Sequence, residues 1–389
     1  MRILIYTGKG GVGKTSIASA TAVHLASSGK KVLVMSTDQA HSLGDSMEVQ
    51  LGSEPLSIFD GLEAFEINPT EESAKAWGNL RDYLKQIITG KANGGIETDE
   101  VLLFPGLDEL FSMLKILEAY DSNQYDVIII DCAPTGETLS LLRYPERLSV
   151  LADKLLPSVR SMNTALGGLI SRKTQVPKPR DQVFDEFDKL VKRLVRLQSI
   201  LRNRELTSLR IVTTPERIVM DEAMRCYTWI NGYDFGVDAI YVNKIYPDKA
   251  MKGYFAGWTD MQAKSLSLAD QSFGDCKIFK LMLQNDELRG IETLKKVASE
   301  QLYQDTDPAL VFCRDQAFRM EDEQGTRIFI VKLPYASEKE IDIWRDGEDM
   351  VLVVRNQTRR FRLPDKVRRR EITSWSFEDG ELRIRFDYD

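Results

Sequence analysis

Apolar runs that alternate with helical patterns occupy the first two thirds of the chain. Five short runs predict strands, at Ile3–Tyr6, Lys31–Met35, Val127–Ile130, Leu209–Val212 and Ala239–Val242. They are mainly continuous in their hydrophobicity, which is typical of parallel strands covered on both faces. Right-handed crossovers bring the loops after such strands to one edge of the sheet. The pattern predicts an α/β fold with a mostly parallel sheet flanked by helices.

Two long helical stretches interrupt this strand pattern and predict a helical insertion. They lie within 71–120 and 139–204. The second contains an apolar stripe at helical spacing, formed by Leu148, Leu151, Leu155, Leu156, Val159, Met162, Leu166, Leu169 and Ile170. Burial against the sheet or another helix explains this stripe, and so does a groove for an apolar helix of another protein. Both interpretations stay open.

Strand-like alternation replaces the helices toward the end of the chain. From Arg327 onward, short segments alternate polar and apolar residues. Asp346–Gly347 and Asp379–Gly380 are typical of hairpin turns between antiparallel strands. The pattern predicts a small C-terminal antiparallel β-sandwich.

A glycine-rich loop joins the first predicted strand to the first predicted helix. Residues 8–15 read GKGGVGKT and fit the pattern GxxxxGK[ST]. Glycines let backbone N–H groups approach phosphate closely, and a helix N-terminus together with Lys14 favours the anion. The Thr15 hydroxyl is suited to bind Mg²⁺ beside the phosphates. We expect a nucleoside triphosphate to contact Gly8, Lys9, Gly10, Gly11, Val12, Gly13, Lys14, Thr15 and Ser16.

Composition and charge narrow the classes of function. The chain is 43% hydrophobic and 29% charged, as folded soluble proteins are, and its net charge of −7 offers no general attraction to nucleic acid. No run of about 18 apolar residues occurs and no secretory leader is evident, so we expect a cytoplasmic protein without a membrane segment. Cys132, Cys226, Cys276 and Cys313 form no CxxC, which argues against structural zinc.

Three segments resemble one family of P-loop ATPases. TGKGGVGKT, STDQAHSLGD and DCAPTGETL are similar to the arsenite-pump and tail-anchored-protein-targeting ATPases (ArsA/Get3-like). The β-rich end is similar to the small-heat-shock-protein (α-crystallin-like, HSP20-like) domain that some relatives carry. We therefore expect an ATPase domain at 1–304, a linker at 305–325 and a β domain at 326–389.

The second lysine of the loop, Lys9, marks the deviant form of the P-loop motif. In the family, this lysine reaches into the active site of a partner subunit, so the resemblance implies a homodimer. Charge supplied in this way can raise the rate of phosphoryl transfer by roughly 10³–10⁵. We expect Lys9 and Lys14 to be catalytic.

The resemblance implies roles for three more residues, with ATP and Mg²⁺ as cofactors. Asp38 would orient and deprotonate the attacking water, as a carboxylate in line with the γ-phosphate can do. Asp131 follows the strand VIII and would hold Mg²⁺ together with Thr15. Asn243 would contact adenine through its side-chain amide.

Some features depart from the family pattern. Gln39 stands where relatives usually have proline, and Glu137 where many have histidine. The zinc CxxC, the clustered thiolates of an arsenite site and a methionine-rich client loop are missing from the sequence. We expect an ATP-hydrolysing homodimeric switch whose nucleotide state controls a helical client-binding surface, with neither zinc nor an arsenite site.

Other functions remain open from the sequence. A MinD/ParA-like positioning ATPase would need a basic or amphipathic surface, and Arg368–Arg370 is the only tight basic cluster. An electron-transfer ATPase with a bridging iron–sulfur cluster would need two cysteines near the nucleotide, where only Cys132 is expected. An ATP-regulated holdase could act through the β domain.

Overall fold

The computed structural model describes most of the chain. The described residues are 1–38, 42–72, 75, 112–132, 181–233, 235–273, 275–314, 318–323, 325–347, 349–354, 357–363, 367 and 370–387. Gln39, Glu137 and the apolar stripe at 148–170 lie outside them.

An eight-stranded sheet forms the core of the first part of the chain. Its strands are β1 (Arg2–Thr7), β2 (Val32–Ser36), β3 (Leu56–Phe59), β4 (Leu62–Glu66), β5 (Val127–Asp131), β6 (Thr207–Thr213), β7 (Val237–Ile245) and β8 (Lys277–Met282). Their order is β3-β4-β2-β5-β1-β6-β7-β8, and among these strands β3 alone runs antiparallel to its neighbour. The predicted mostly parallel sheet is confirmed.

Helices cover both faces of this sheet. They are α1 (Lys14–Ser27), α2 (Ser42–Met47), α3 (Leu114–Ser122), α4 (Asp181–Arg202), α5 (Arg217–Gly232), α6 (Thr259–Ser272) and α7 (Ile291–Val297), with shorter turns at Gly253–Trp258, Ala298–Tyr303 and Glu338–Glu340. Successive residues of β1 enter different cores: Ile3 and Ile5 pack with α3 to α6, and Leu4 and Tyr6 pack with α1 and α7. Burial on both faces explains why the strands are apolar without alternation.

Helices α3 and α4 lie within or beside the two ranges predicted to contain the helical insertion, and both pack in the core of the sheet. They lie side by side, and Arg196 of α4 donates to both carboxylate oxygens of Asp121, at 2.8 and 2.6 Å. Arg193 pairs with Glu118 one turn away. The extent of the insertion beyond these helices stays a prediction. Within the described ranges, none of the helices combines the length and hydropathy needed to cross a membrane.

The C-terminal part is an antiparallel β-sandwich, as predicted. Its strands are β9 (Phe318–Glu323), β10 (Thr326–Lys332), β11 (Ile341–Asp346), β12 (Asp349–Val354), β13 (Gln357–Arg362), β14 (Glu371–Glu378) and β15 (Glu381–Asp387). Sheet B has the order β14-β15-β10-β9 and sheet C the order β11-β12-β13. Residues such as Phe329, Leu352 and Ile384 fill the space between them.

Two described parts of the segment 305–325, expected to be a linker, contact the folded units on either side. Its last part forms β9, which pairs with β10 and therefore belongs to the sandwich. Its first part lies on the eight-stranded sheet, where Arg2 and Arg210 donate to the carbonyls of Ala309 (2.9 Å) and Pro308 (2.7 Å). These contacts join residues far apart in sequence, so the local pattern could not indicate them.

Candidate functional site

The phosphate loop connects β1 to α1 at the carboxyl edge of the sheet. A Cβ on Gly8 would lie 2.2 Å from the carbonyl oxygen of Val212, which is closer than any side chain tolerates. Gly13 has a φ of 93°, and a Cβ there would lie 2.4 Å from Nδ2 of Asn243. The loop therefore requires glycine at both positions, since it lies directly against β6 and β7.

A cleft of about 970 Å³ opens over this loop. Its lining includes eight of the expected site residues: Gly10, Gly11, Gly13, Lys14, Thr15, Ser16, Asp38 and Asn243. The other four, Gly8, Lys9, Val12 and Asp131, are described but do not line it. Residues 281–289, at the end of β8 and directly after it, form another part of the lining, and sequence reasoning assigned them no role.

Lys14 opens α1 and is almost completely buried. Its Nζ donates to the carbonyl of Lys9 at 3.2 Å, so the side chain folds back along the loop. The first turn of α1 contains no acidic residue, and its backbone N–H groups have no partner within the helix. The Lys14 ammonium and these N–H groups together form a positive site suited to phosphate.

Asp131 ends β5 and is completely buried beneath the loop. Its Oδ2 accepts a hydrogen bond from the Thr15 hydroxyl at 2.7 Å, and Thr15 Oγ1 also lies 3.1 Å from the hydroxyl of Ser42. Burial raises the pKa of Asp131 to about 6, against the opposing effects of the Thr15 hydrogen bond and the Lys14 charge. Its Oδ1 has no hydrogen-bond partner among the described residues.

This oxygen-rich group fits a hard divalent cation. Mg²⁺ prefers carboxylate and hydroxyl oxygens, and a nearby positive charge would favour the ionised form of a buried carboxylate. The buried Oδ1 of Asp131 and the hydroxyl of Thr15 supply such atoms. Ser36 adds a hydroxyl 3.5 Å from Asp131 Oδ2, and Ser42 lies beside Thr15; sequence reasoning had assigned neither of them.

Asp38 follows β2 and lines the cleft. Its backbone N–H donates to the Ser36 hydroxyl at 3.1 Å, which orients the chain as it leaves the strand. Its negative charge contributes to the raised pKa of Asp131, so the two carboxylates lie near each other. The structure therefore brings Asp38, Lys14 and Thr15 to one cleft.

Lys9 pairs with an acidic residue of its own chain. Its Nζ lies 3.5 Å from Glu222 on α5, and about two fifths of the Lys9 side chain is exposed to solvent. A pair this exposed has a small energy, since water and salt screen it.

Asn243 contacts the phosphate loop. Its Nδ2 donates to the carbonyl of Val12 at 2.9 Å, and its Oδ1 accepts from the backbone N–H of Lys244 at 2.8 Å. Lys244, which sequence reasoning missed, donates from Nζ to the carbonyl of Gly11 at 2.7 Å. The sequence could have indicated Lys244 as a site residue, because it directly follows Asn243 at the end of a predicted strand.

The chain after β8 also contacts the C-terminal end of α2 and the residue that follows it. The N–H of Gly290 donates to the carbonyl of Ser46 at 2.9 Å, and Arg289 lies 3.8 Å from Glu48. Met282 and Leu283 expose apolar surface to the cleft, as a binding wall for a flat ring does. The cleft thus has a polar end at the loop and an apolar wall.

Comparisons with known proteins agree with this geometry. The family model described as "Anion-transporting ATPase" matches residues 1–304, and the one described as "HSP20-like domain found in ArsA" matches residues 324–386. A Chlorobaculum tepidum protein named "Putative arsenical pump-driving ATPase" is 34% identical over 391 residues, which cover 100% of this chain and 96% of the relative.

Two further relatives extend the range of organisms. "Putative arsenical pump-driving ATPase 1" of Aquifex aeolicus is 30% identical over 394 residues, with 99% of each chain covered. "ATPase ASNA1 homolog 2" of Paramecium tetraurelia is 30% identical over 295 residues, which cover 74% of this chain and 90% of the relative. These matches confirm the resemblance drawn from the sequence. The chain is an ATP-hydrolysing enzyme that belongs to the anion-transporting ATPase (ArsA) family and carries the HSP20-like domain found there.

Proposed function

We propose that this ATPase is a homodimeric switch that hydrolyses Mg-ATP at the phosphate loop and couples hydrolysis to the binding of a protein client. One observation carries the proposal: Lys14, Thr15 and Asp38 line a single cleft, with the buried carboxylate of Asp131 directly behind Thr15. This combination of a cation, a hydroxyl and two carboxylates suits phosphoryl transfer to water.

The roles follow from the chemistry of each group. The N–H groups of the loop and the Lys14 ammonium would bind the β- and γ-phosphates. Thr15 and Asp131 would hold Mg²⁺, which neutralises charge on these phosphates when it is bound. Asn243 would contact adenine at the far side of the loop.

Asp38 would orient the attacking water and accept its proton. A carboxylate has this capacity and an amide does not, although the two have nearly the same shape. Asp38→Asn should therefore bind Mg-ATP with an affinity close to that of the wild type but lower kcat by about 10²-fold or more. Asp60→Asn, in the exposed turn between β3 and β4, is the matched control.

Steady-state hydrolysis and binding of a fluorescent ATP analogue together test this assignment. Equal turnover of Asp38→Asn and the wild type would remove Asp38 from the mechanism. Loss of analogue binding in Asp38→Asn would assign it to binding instead of catalysis.

The dimer is proposed because of Lys9. Within one chain Lys9 contacts Glu222 and lies outside the cleft lining, so it does not serve its own cleft in this conformation. A face-to-face dimer would exchange this weak contact for one with the partner's phosphates. Light scattering with a hydrolysis-resistant ATP analogue should show dimers, and a monomer with full activity would contradict the proposal.

The client would be an apolar helix bound by the helical insertion. The described helices of this region, α3 and α4, bury their apolar faces against the sheet, so the proposal relies on the sequence-predicted apolar stripe at 148–170, which lies outside the described residues. Binding of a synthetic Leu/Ala-rich helical peptide should be stronger with the ATP analogue than with ADP. Equal affinity in both states would separate client binding from the nucleotide switch.

We also propose that this chain lacks an arsenite site, although two of its relatives are named for an arsenical pump. Cys276 and Cys313 are hydrogen-bonded neighbours, whereas Cys132 follows β5 and Cys226 lies on α5, and all but Cys313 are buried. The described residues contain no cluster of three or more His, Cys, Asp or Glu suited to a metal ion. ATP hydrolysis should therefore be the same with and without arsenite, and a several-fold stimulation would contradict this.

A further inference from the structure

The end of strand β7 contains an irregularity that directs two neighbouring side chains to the phosphate loop. In the pairing of β7 with β8, Val242 faces Lys280 but Ile245 faces Met282, so β7 has one extra residue at Asn243–Lys244. Successive side chains of a regular strand point to opposite faces, whereas a bulge re-aims them. Asn243 and Lys244 accordingly bond adjacent carbonyls of the loop.

The backbone of Lys244 is held in an unusual conformation. Its φ of 57° lies in the left-handed region, which residues other than glycine and asparagine rarely adopt. The N–H of Lys244 donates to the Asn243 side-chain oxygen at 2.8 Å, which stabilises this turn. Such strain is often retained where it serves a functional site.

We propose that Asn243 and Lys244 are positioning residues that set the direction of the N–H groups in the phosphate loop. A trans peptide is planar, so its N–H points opposite to its carbonyl. Lys244 holds the Gly11 carbonyl and thereby orients the N–H of Val12; Asn243 holds the Val12 carbonyl and orients the N–H of Gly13.

The oriented N–H groups are available for a ligand. No described residue accepts a hydrogen bond from the backbone N–H of Gly11, Val12 or Gly13. Donors that face one concave side of a loop form an anion site. We call the two contacts of Asn243 and Lys244 with the loop the brace. Strand β6 lies between β1 and β7, so the brace connects the loop to a strand that is not adjacent to β1.

The Lys244 contact should affect phosphate binding without reading the base, and Lys244 can be tested apart from Asn243, which is also proposed to contact adenine. Lys244→Met keeps most of the side chain but removes the donor, and should weaken binding of a hydrolysis-resistant ATP analogue about 3- to 10-fold. The inosine counterpart should lose the same factor, whereas AMP, which has no β-phosphate, should bind as before. We expect kcat to stay within about twofold.

Three further variants separate a positioning role from a general structural one. Lys244→Arg retains a donor and should recover most of the lost affinity, while Lys244→Asn suits the left-handed backbone but lacks the ammonium and should not. Lys280→Met removes an ion-paired lysine of β8 and should bind like the wild type. Asn243→Asp places a carboxylate oxygen against the Val12 carbonyl and should weaken the binding of both purine triphosphates by about 10-fold or more, with a further loss for ATP because Asn243 is also proposed to contact adenine.

The outcomes discriminate between explanations. Unchanged affinity in Lys244→Met, or an equal loss for AMP, would overturn the proposal, the latter by placing Lys244 at the ribose or base. This inference rests on the proposed nucleotide site. If wild-type protein failed to bind the ATP analogue, that site itself would be wrong, whereas binding by the wild type that Lys244→Met leaves unchanged rejects only the brace.

Discussion

Two charged regions of this molecule differ in how their charges are satisfied. At the phosphate loop, Asp131 is completely buried and its Oδ1 has no hydrogen-bond partner among the described residues. On the face of sheet B away from the sandwich core, Arg319 donates to both oxygens of Glu381, at 2.8 and 3.0 Å, and the pair is partly exposed. The pKa values shift accordingly: burial raises that of Asp131 to about 6, and the Arg319 hydrogen bond lowers that of Glu381.

This difference in charge pairing indicates which of the two regions is the better candidate for a functional site. A buried carboxylate without full pairing reduces stability, which makes Asp131 the stronger candidate of the two to bind a cation. An exposed ladder of paired charges needs no ligand and supports solubility and a small part of the stability. The presence of charged residues does not distinguish the two regions, because both contain basic and acidic residues beside buried apolar ones.

The largest effect on turnover is expected at Lys9, although its ion pair resembles the exposed ion pair of sheet B. The pair Lys9–Glu222 is exposed, as the pair Arg319–Glu381 is, yet Lys9 is proposed to act on the partner's phosphates. Lys9→Ala should lower kcat by about 10³-fold, the low end for a charge supplied in trans, and leave ADP affinity within about twofold.

The partner of Lys9 offers the matched control. Glu222→Gln removes the contact within the chain and leaves Lys9 in place. We expect its turnover to equal or slightly exceed that of the wild type. Steady-state hydrolysis of both variants checks this, and similar losses in both would make the pair structural.

A buried but well-paired charge should show a large effect on stability instead of activity. Arg210 is completely buried and lies 3.1 Å from Asp238, while Arg2 lies 3.6 Å from the same carboxylate. Arg210→Met should lower the free energy of unfolding by about 3 kcal/mol, the low end for a broken buried pair, because Arg2 remains. Urea unfolding measures this, with Arg196→Gln as the control, because the Arg196 side chain lies on the exposed face of α4 and its loss should change little.

Asp131→Asn should raise the free energy of unfolding and weaken the proposed binding of Mg-ATP. The raised pKa shows that the ionised form is disfavoured in the fold, and asparagine removes the charge in nearly the same shape. Without ligands at neutral pH, the variant should gain about 1–2 kcal/mol of unfolding free energy. Mg-ATP should raise the melting temperature of the wild type more than that of the variant, and a variant less stable than the wild type without ligands would contradict this account.

The smallest effect is expected at the ladder of sheet B. Arg319→Gln should reduce stability by less than about 1 kcal/mol near neutral pH, since solvent screens the pair. The folded pKa of Glu381 lies below its unfolded value of 4.5, so the contribution is complete above that pH. It should disappear as pH falls through the lowered folded value, where the carboxylate becomes protonated in both states. Equal differences at pH 7 and at the acidic end of the transition would be inconsistent with ion pairing.

Much of the candidate site could be predicted because its signals are local. The loop at 8–15 follows a strand and opens a helix, so Lys14 and Thr15 could be assigned from their spacing. Asp131 follows the most apolar strand, whose burial placed it at the same sheet edge. The hairpin turns of the sandwich were equally clear, since Gly347 and Gly380 adopt positive φ.

Contacts between distant segments could not be predicted in the same way. The segment 305–314 contains no periodic pattern, and its attachment depends on Arg2 and Arg210, which lie on other strands. Strand β9 lies in the predicted linker, because its six residues mix polar and apolar types and give only a weak strand pattern. Its pairing with β10 is visible only in the folded chain.

The amino-acid order alone was enough for the family, the parallel sheet, the β-sandwich and the chemistry of the loop, because glycines, lysines and apolar runs act over a few residues. The folded chain decided the rest: that Asp131 has an unpartnered oxygen, that Lys9 meets Glu222, and that Lys244 holds the loop. These facts depend on which strands are neighbours and on a one-residue bulge in β7. Free energies of burial and pairing arise only when such distant groups come together.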